Sequence, residues 1–132
     1  EIELLNLNPV RFRVVCSAGT YVRSLCEDIA EKLGIDIDEK ALARGAMLHD
    51  YYLYTFKETK MSPYRHGISH PETALKNASK RHRLTEKETN IIRSHMWPLT
   101  LFHPPQSKEA VVVMMADKYC AVREMVFRKK TV

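Results

Sequence analysis

Apolar residues alternate with polar ones near the start of this chain and recur at helical spacing after that. Ile2 and Leu4 alternate with Glu1 and Glu3, and Val10, Phe12, Val14 and Cys16 alternate with Arg11 and Arg13. That period of two predicts a pair of strands, with turn chemistry supplied by Asn6 to Pro9. Ser17-Ala18-Gly19 breaks the second strand, and Thr20 stands where a helix N-cap belongs. Val22, Leu25, Cys26, Ile29, Ala30 and Leu33 then form an apolar stripe, and Gly34 is suited to closing the helix.

The helical period continues downstream. Asp36 with Glu39 resembles a capping box opening a second helix, on which Leu42, Ala46, His49, Asp50 and Leu53 share one face. Residues 57 to 69, with Pro63 and Gly67, read as a polar loop. Ser69-His70-Pro71-Glu72 offers another helix start, followed by Ala74, Leu75 and Ala78 and ending in the basic run Lys80 to Arg83. Thr85 to Glu88 repeats the capping pattern ahead of Ile91, Ile92 and His95, and Pro98 stops that helix just after Trp97. A proline-containing loop from Phe102 to Gln106 leads to Ser107, which caps a last segment from Lys108 to about Arg128. Periodicity alone would also allow Ala110 to Ala116 to be a buried strand; the length and the Lys-Glu start favour a helix. The expected fold is mainly α, a helical bundle with an N-terminal β-strand pair. Residues 1–34 form a strand-turn-helix segment and 35–132 a helical unit, packed together as one domain.

Composition narrows the class. A chain of 132 residues, 45% hydrophobic and 28% charged, is that of a soluble globular domain with one real core. No apolar run approaches the ~20 residues of a membrane span, and no signal peptide is visible. The start at Glu1 without methionine suggests that an upstream piece has been removed. Cys16, Cys26 and Cys120 are odd in number and lack metal-type spacing, so reduced thiols and a cytoplasmic location are expected. The net charge of +5 suits an anionic partner without identifying one, since the basic residues are scattered.

The candidate chemistry lies on apolar faces. A carboxylate turned toward a core is costly unless paired or bound to a metal, and Asp50 follows His49 directly within a run that reads as buried. His70, His95 and Asp117 also sit among apolar helical positions. Each has a plainer reading: a helix-end pair for His49-Asp50, a cap for His70, a core histidine for His95 and a buried ion pair for Asp117. Taken together they favour a metal site. His66 is a weaker alternative ligand, and His82 and His103 fall in contexts without catalytic character. Arg65, Lys118 and the Lys80 to Arg83 run are candidate phosphate contacts, each weighed against an ordinary solvated surface. Tyr51, Tyr52, Tyr54 and Trp97 read as packing residues rather than base-stacking ones.

From about Asp36 onward the chain resembles the HD superfamily of metal-dependent phosphohydrolases. The resemblance is carried by Met47-Leu48-His49-Asp50, Ser69-His70-Pro71 to Ala78, Ser94-His95-Met96-Trp97-Pro98 and Met115-Ala116-Asp117-Lys118. It implies an HD-domain-like helical bundle holding one or two divalent metals (Fe, Mn, Co, Zn or Mg). Asp50 and His49 are then the candidate catalytic residues, with Asp50 the central or bridging ligand. His49 and Asp117 would complete one metal position, and His70 and His95 would join Asp50 at a second. A metal so held lowers the pKa of a bound water and screens phosphate oxygens. The family pattern also has a histidine one helix before the HD pair, near Ser17 or Ala18 here. No histidine precedes His49, which predicts impaired activity.

Residues 1–34, above all Phe12 to Leu25, resemble a late segment of the catalytic domain of TruB-type tRNA pseudouridine synthases. In that family the arginine matching Arg23 lies near the catalytic aspartate. The motif carrying that aspartate is absent, so pseudouridine synthesis by this chain is not expected. The two resemblances together suggest a chimera, natural or engineered, joined near Leu33 to Asp38. The leading expectation is hydrolysis of a phosphorylated small molecule or nucleotide. Two alternatives are an RNA-binding module using Arg11, Arg13 and Arg23, and a folded chimera without activity.

Overall fold

The computed structural model describes residues 2–7, 10–14, 20–52 and 60–128, with side chains over 22–52 and 60–126. Within them are five helices: α1 (Thr20–Leu33), α2 (Glu39–Leu48), α3 (Pro63–Arg81), α4 (Glu86–Ser94) and α5 (Lys108–Arg128). Cys16, the break at 17–19, Leu53, Tyr54 and the first residues of the expected 57–69 loop lie outside the described residues.

The fold class requires a correction. The fold is a helical bundle, and the N-terminal strand pair is not an element of it. Ile2–Leu7 and Val10–Val14 pair antiparallel, Ile2 opposite Val14, but only with each other. Among the described residues nothing connects them to any helix. A strand pair with no further partner is marginal in water, so the period-two patterning adds no layer to the helical bundle.

Several helix ends follow their sequence signals. Gly34, at φ +60°, closes α1: its N–H donates to Glu31 O (3.1 Å) and that of Ile35 to Ala30 O (3.0 Å), leaving few last-turn carbonyls without a donor. Thr85 and Glu88 form the expected capping box at α4. The Ser107 hydroxyl accepts from Ala110 N–H at 3.1 Å, and the segment that could have been a strand is helical throughout.

Four boundaries differ from expectation, one of them the end of α4, which stops at Ser94 with His95 as its C-cap instead of running on to Pro98. The cap of α2 is Asp38, not Asp36; its carboxylate accepts from Ala41 N–H at 3.0 Å. Helix α3 starts at Pro63 with Ser62 as its cap and runs through Pro71, so the presumed start at Ser69 is mid-helix and much of the presumed loop is helical. Helix α2 stops at Leu48 instead of carrying His49-Asp50 onward. The His49 imidazole donates to Ala46 O at 2.6 Å, occupying the carbonyl that another helical turn would need, and the chain turns there.

Two apolar clusters hold the bundle. One joins α1, α2, α4 and α5 through Val22, Cys26, Leu42, Ala46, Ile91, Val113, Ala116 and Cys120. The other joins the end of α2 to α3 and α4 through Leu48, Ala74, Leu75, Ala78 and Ile92. Helix α4 serves both, with Ile91 turned to the first and Ile92 to the second. His95 follows these by four and three residues, one helical turn on, which places it at the seam. His49 occupies the equivalent place on α2, after Ala46 of the first cluster and Leu48 of the second.

Polar contacts lock the far end of the bundle. Glu109 Oε1 accepts from Asp38 N–H at 2.7 Å and from Lys87 Nζ at 3.3 Å, tying together the starts of α2, α4 and α5. Glu88, almost fully buried, pairs with Arg44 at 3.2 Å.

Candidate metal centre

The five residues singled out from the sequence converge at the seam. His49 and His95 are the C-cap residues of α2 and α4, Asp50 is in the turn after α2, His70 is midway along α3, and Asp117 is on α5 next to the buried Ala116. Their donor atoms form two groups sharing Asp50: Asp50 with His70 and His95, and Asp50 with His49 and Asp117, each within 4.8 Å.

The two oxygens of Asp50 divide between these groups. Oδ1 lies 3.4 Å from His70 Nε2 and 3.6 Å from His95 Nε2, whereas Oδ2 lies 3.3 Å from His49 Nε2. His49 Nε2 is also 3.3 Å from Asp117 Oδ1. The side chain of Asp50 is 39% exposed, that of Asp117 21%, and the three imidazoles are buried. The centre therefore opens to solvent on its carboxylate side.

Backbone carbonyls set the orientation of all three rings. His49 Nδ1 donates to Ala46 O at 2.6 Å, His70 Nδ1 to His66 O at 3.0 Å and His95 Nδ1 to Ile92 O at 2.7 Å. A carbonyl only accepts, so each Nδ1 carries hydrogen, and in the neutral ring the Nε2 lone pair points into the centre. The Nε2 atoms of His70 and His95 are 2.7 Å apart. Imidazoles oriented through Nδ1 with Nε2 lone pairs meeting a carboxylate are the arrangement of metal-binding histidines, so the residues fit a divalent cation.

Electrostatics agrees with a site arranged around positive charge. Burial opposes a charge on His49, but hydrogen bonds to Asp117 and Asp50 raise its pKa to about 10. Burial would raise Asp50, yet hydrogen bonds to His49 and His70 hold it well below the usual carboxylate range. His95 is lowered to about 4 by burial and then by neighbouring His49 and His70.

Other expected residues are placed less uniformly. Lys118 Nζ donates to His95 O at 3.0 Å, so it braces the end of α4 at the edge of the centre; burial lowers its pKa despite nearby Asp117. Arg65 is exposed on the first turn of α3, and the Lys80 to Arg83 run begins ten residues beyond His70, about 15 Å along the helix axis. Arg23 pairs with Glu27 at 3.8 Å, and the side chains of Arg11 and Arg13 lie outside the described residues. His82 and His103 stay outside both ligand groups, near Tyr51 and Glu72 respectively. His66 also stays outside them, but its ring stacks on His70 at 4.8 Å, and Tyr52 meets both rings edge-on. A cleft of about 380 Å³ lined by Asn90, Arg93, Phe102 and His103 shares no residue with the centre.

One supporting residue escaped the sequence reading. Asn77 Nδ2 donates to the carbonyls of Tyr51 and Tyr52 at 3.2 and 3.1 Å, fixing the turn that carries Asp50. Its signal was available, since Asn77 lies seven residues after His70 on the same face of α3.

The HD domain family matches residues 21–122. This chain belongs to the HD domain family. The match starts earlier than the motifs near Asp36 suggested, so the HD domain takes in nearly all of α1, the whole of α2 to α4 and α5 as far as residue 122. HD domains bind divalent metals, in keeping with the donor groups around Asp50. Similarity of a second kind covers shorter stretches. The chain is 50% identical over 46 residues to the probable tRNA pseudouridine synthase B of Methanocaldococcus jannaschii, covering 33% of this chain and 14% of that protein. It is 72% identical over 25 residues to tRNA pseudouridine synthase B of Clostridium acetobutylicum, covering 19% and 9%. A longer match, 33% identical over 91 residues, joins it to the probable tRNA pseudouridine synthase B of Methanopyrus kandleri, covering 58% and 27%. The chain thus spans only a small part of these relatives. No solved structure matches it. No helix among the described residues is long and apolar enough to cross a membrane.

Proposed function

We propose that this HD domain is a divalent-metal-dependent phosphohydrolase acting on a phosphoester of a nucleotide or other small phosphorylated molecule. The observation that carries the reading is the convergence of His70 Nε2 and His95 Nε2, 2.7 Å apart, on one oxygen of Asp50, whose other oxygen meets His49. A divalent metal bound there supplies Lewis acidity toward a phosphoryl oxygen and lowers the pKa of water. The chain's own residues do the rest. Ala46, His66 and Ile92 carbonyls hold the three imidazoles in the ligating tautomer, and Asn77 holds the Asp50 turn. Asp117 and Asp50 share the proton of His49 in the metal-free state. Lys118 places positive charge at the rim, with Arg65 a more distant candidate for phosphate binding. The absence of a histidine before His49 lowers the ligand count at the position of His49 and Asp117, and activity is correspondingly impaired.

The test is hydrolysis of p-nitrophenyl phosphate, bis-p-nitrophenyl phosphate and nucleoside monophosphates by metal-loaded protein. Loss of groups that merely orient metal ligands costs 10- to 100-fold, so D50N, which weakens a ligand shared by both groups, should lower the rate by about 100-fold or more. Activity surviving this change would remove the site assignment.

A second reading, RNA binding by Arg11, Arg13 and Arg23, draws on the similarity to the tRNA pseudouridine synthases. It expects RNA affinity falling steeply with salt, unaffected by D50N and lost in the triple alanine variant. In that case the chain is a chimera whose N-terminal segment supplies the binding.

A further inference from the structure

We infer that the cleft between α4 and the 102–106 loop is a second binding site, for a small molecule carrying a flat ring and an anionic group, such as a mononucleotide. The inference does not depend on the metal centre, with which the cleft shares no residue.

The cleft encloses about 380 Å³, within the range of small-ligand pockets. Its walls are fixed in place. The Asn90 side chain ties α4 to the loop, donating to Pro104 O at 3.3 Å and accepting from Gln106 N–H at 2.9 Å. His103 N–H donates to Thr100 O at 3.0 Å, and Pro104 and Pro105 restrict the backbone between these contacts. A site already ordered in this way loses little freedom when a ligand enters.

Two groups in the walls have no structural task that explains them fully. Phe102 lines the cleft yet is 93% exposed, so its ring adds nothing to the core and offers a face to another ring. Arg93 is the other. Glu72 of α3 holds the guanidinium from one side, Nε to Oε1 at 2.7 Å, and among the described residues no second carboxylate engages it. An oriented guanidinium with its terminal nitrogens available grips a phosphate or carboxylate through two hydrogen bonds. Thr89 and Gln106 add a hydroxyl and a side-chain amide, suited to the edge of a heterocycle or to sugar hydroxyls.

Local charge favours an anion. The exposed basic run Lys80 to Arg83 leads directly into Leu84, which forms part of the wall. Within the cleft Glu86 is the one acidic lining residue, and Glu72 beside it is already paired with Arg93. A cationic run next to a concave site raises the local concentration of anions. The run therefore has a task here that its distance from His70 denies it at the metal centre. Phe102 and Arg93 together call for a ring and an anionic group in one molecule, which neither a neutral ring nor inorganic phosphate provides.

The test follows backbone amide shifts by NMR in metal-free protein with chelator present, so that no cation holds the probe. Adenosine monophosphate, adenosine and inorganic phosphate are added separately. Adenosine monophosphate should bind with a Kd below about 1 mM and shift the amides of Thr89, Arg93, Phe102 and Gln106. Adenosine and phosphate should each bind about tenfold or more weakly. F102S, a change at an exposed side chain, should weaken adenosine monophosphate about tenfold, as expected for one stacked base. R93Q should weaken it similarly and leave adenosine unchanged, a separation that general damage to the fold would not produce. If R93Q does not fold, F102S and the three-probe comparison decide the matter. Absence of binding, phosphate binding as tightly as the nucleotide, shifts centred on Asp50, His70 and His95, or an F102S variant of unchanged affinity would each overturn the inference.

Discussion

His49 and Asp117, on α2 and α5 and far apart in sequence, meet Nε2 to Oδ1 at 3.3 Å. The contact joins the end of one helix to the middle of another at the seam between the two apolar clusters, and it determines how the metal-free centre responds to pH.

Binding of metal should release protons. With its pKa raised to about 10, His49 is charged at neutral pH, and a ligating imidazole must be neutral. Filling its position between pH 6.5 and 10 should free about one proton per metal. Calorimetry in buffers of different ionisation enthalpy measures that number, and a value near zero would show that His49 is not a ligand.

The metal-free protein should be most stable near pH 6.5. His49 is raised above its unfolded value of 6.5, so its contribution is complete below pH 6.5 and is lost as pH rises through about 10. His95 is lowered to about 4, so the unfolded chain binds the extra proton below pH 6.5 and stability falls from there toward pH 4. The depressed Asp50 adds a further loss as pH drops below its unfolded value of 3.8. Melting temperature against pH checks this, and a curve flat from pH 4 to 10 would contradict it.

Gly45→Ala should destabilise despite improving helix propensity. A Cβ at Gly45 would lie 2.6 Å from Ile91 Cγ2, and Ile91 is a buried, β-branched side chain with nowhere to retreat. Forcing α2 and α4 apart costs about 1–3 kcal/mol, against about 1 kcal/mol recovered from replacing glycine in a helix. Urea denaturation should show the net loss, with a milder effect at Gly34, where no atom lies within 4 Å but the positive φ opposes a side chain.

Cys26 and Cys120 should resist alkylation in the folded protein. Both are buried and free, and the Cys26 thiol is pushed up to about 12 by burial and then by nearby Cys120 and Asp117. Thiolate is the reactive form, so iodoacetamide should label these two only on unfolding. Rapid labelling in native buffer would mean that the α1–α5 contact opens.

Helix content, the Thr85–Glu88 capping box, the Gly34 stop and the helical character of 108–128 could all be read in the chain, because caps and amphipathic stripes are local. The five residues that converge at the seam could also be picked out, since ionisable groups on apolar stripes are conspicuous. What failed was non-local or competing. A histidine ring taking a carbonyl ends α2 early, Pro71 lies inside α3 and not at its start, and the two alternating segments pair with each other without adding a layer to the bundle.

By itself, then, the sequence determined that the chain is mainly helical and which side-chain types are available as ligands, because backbone hydrogen bonding and 3.6-residue periodicity act within a few residues, while several helix ends were left to longer-range contacts. Only the tertiary structure decided that Asp50 directs one oxygen to His70 and His95 and the other to His49. That division depends on the packing of Ile91 and Ile92 into two separate clusters, which places the ends of α2 and α4 against α3 and α5. Contacts between residues far apart in the chain are fixed by how whole faces fit together, and no local pattern encodes them.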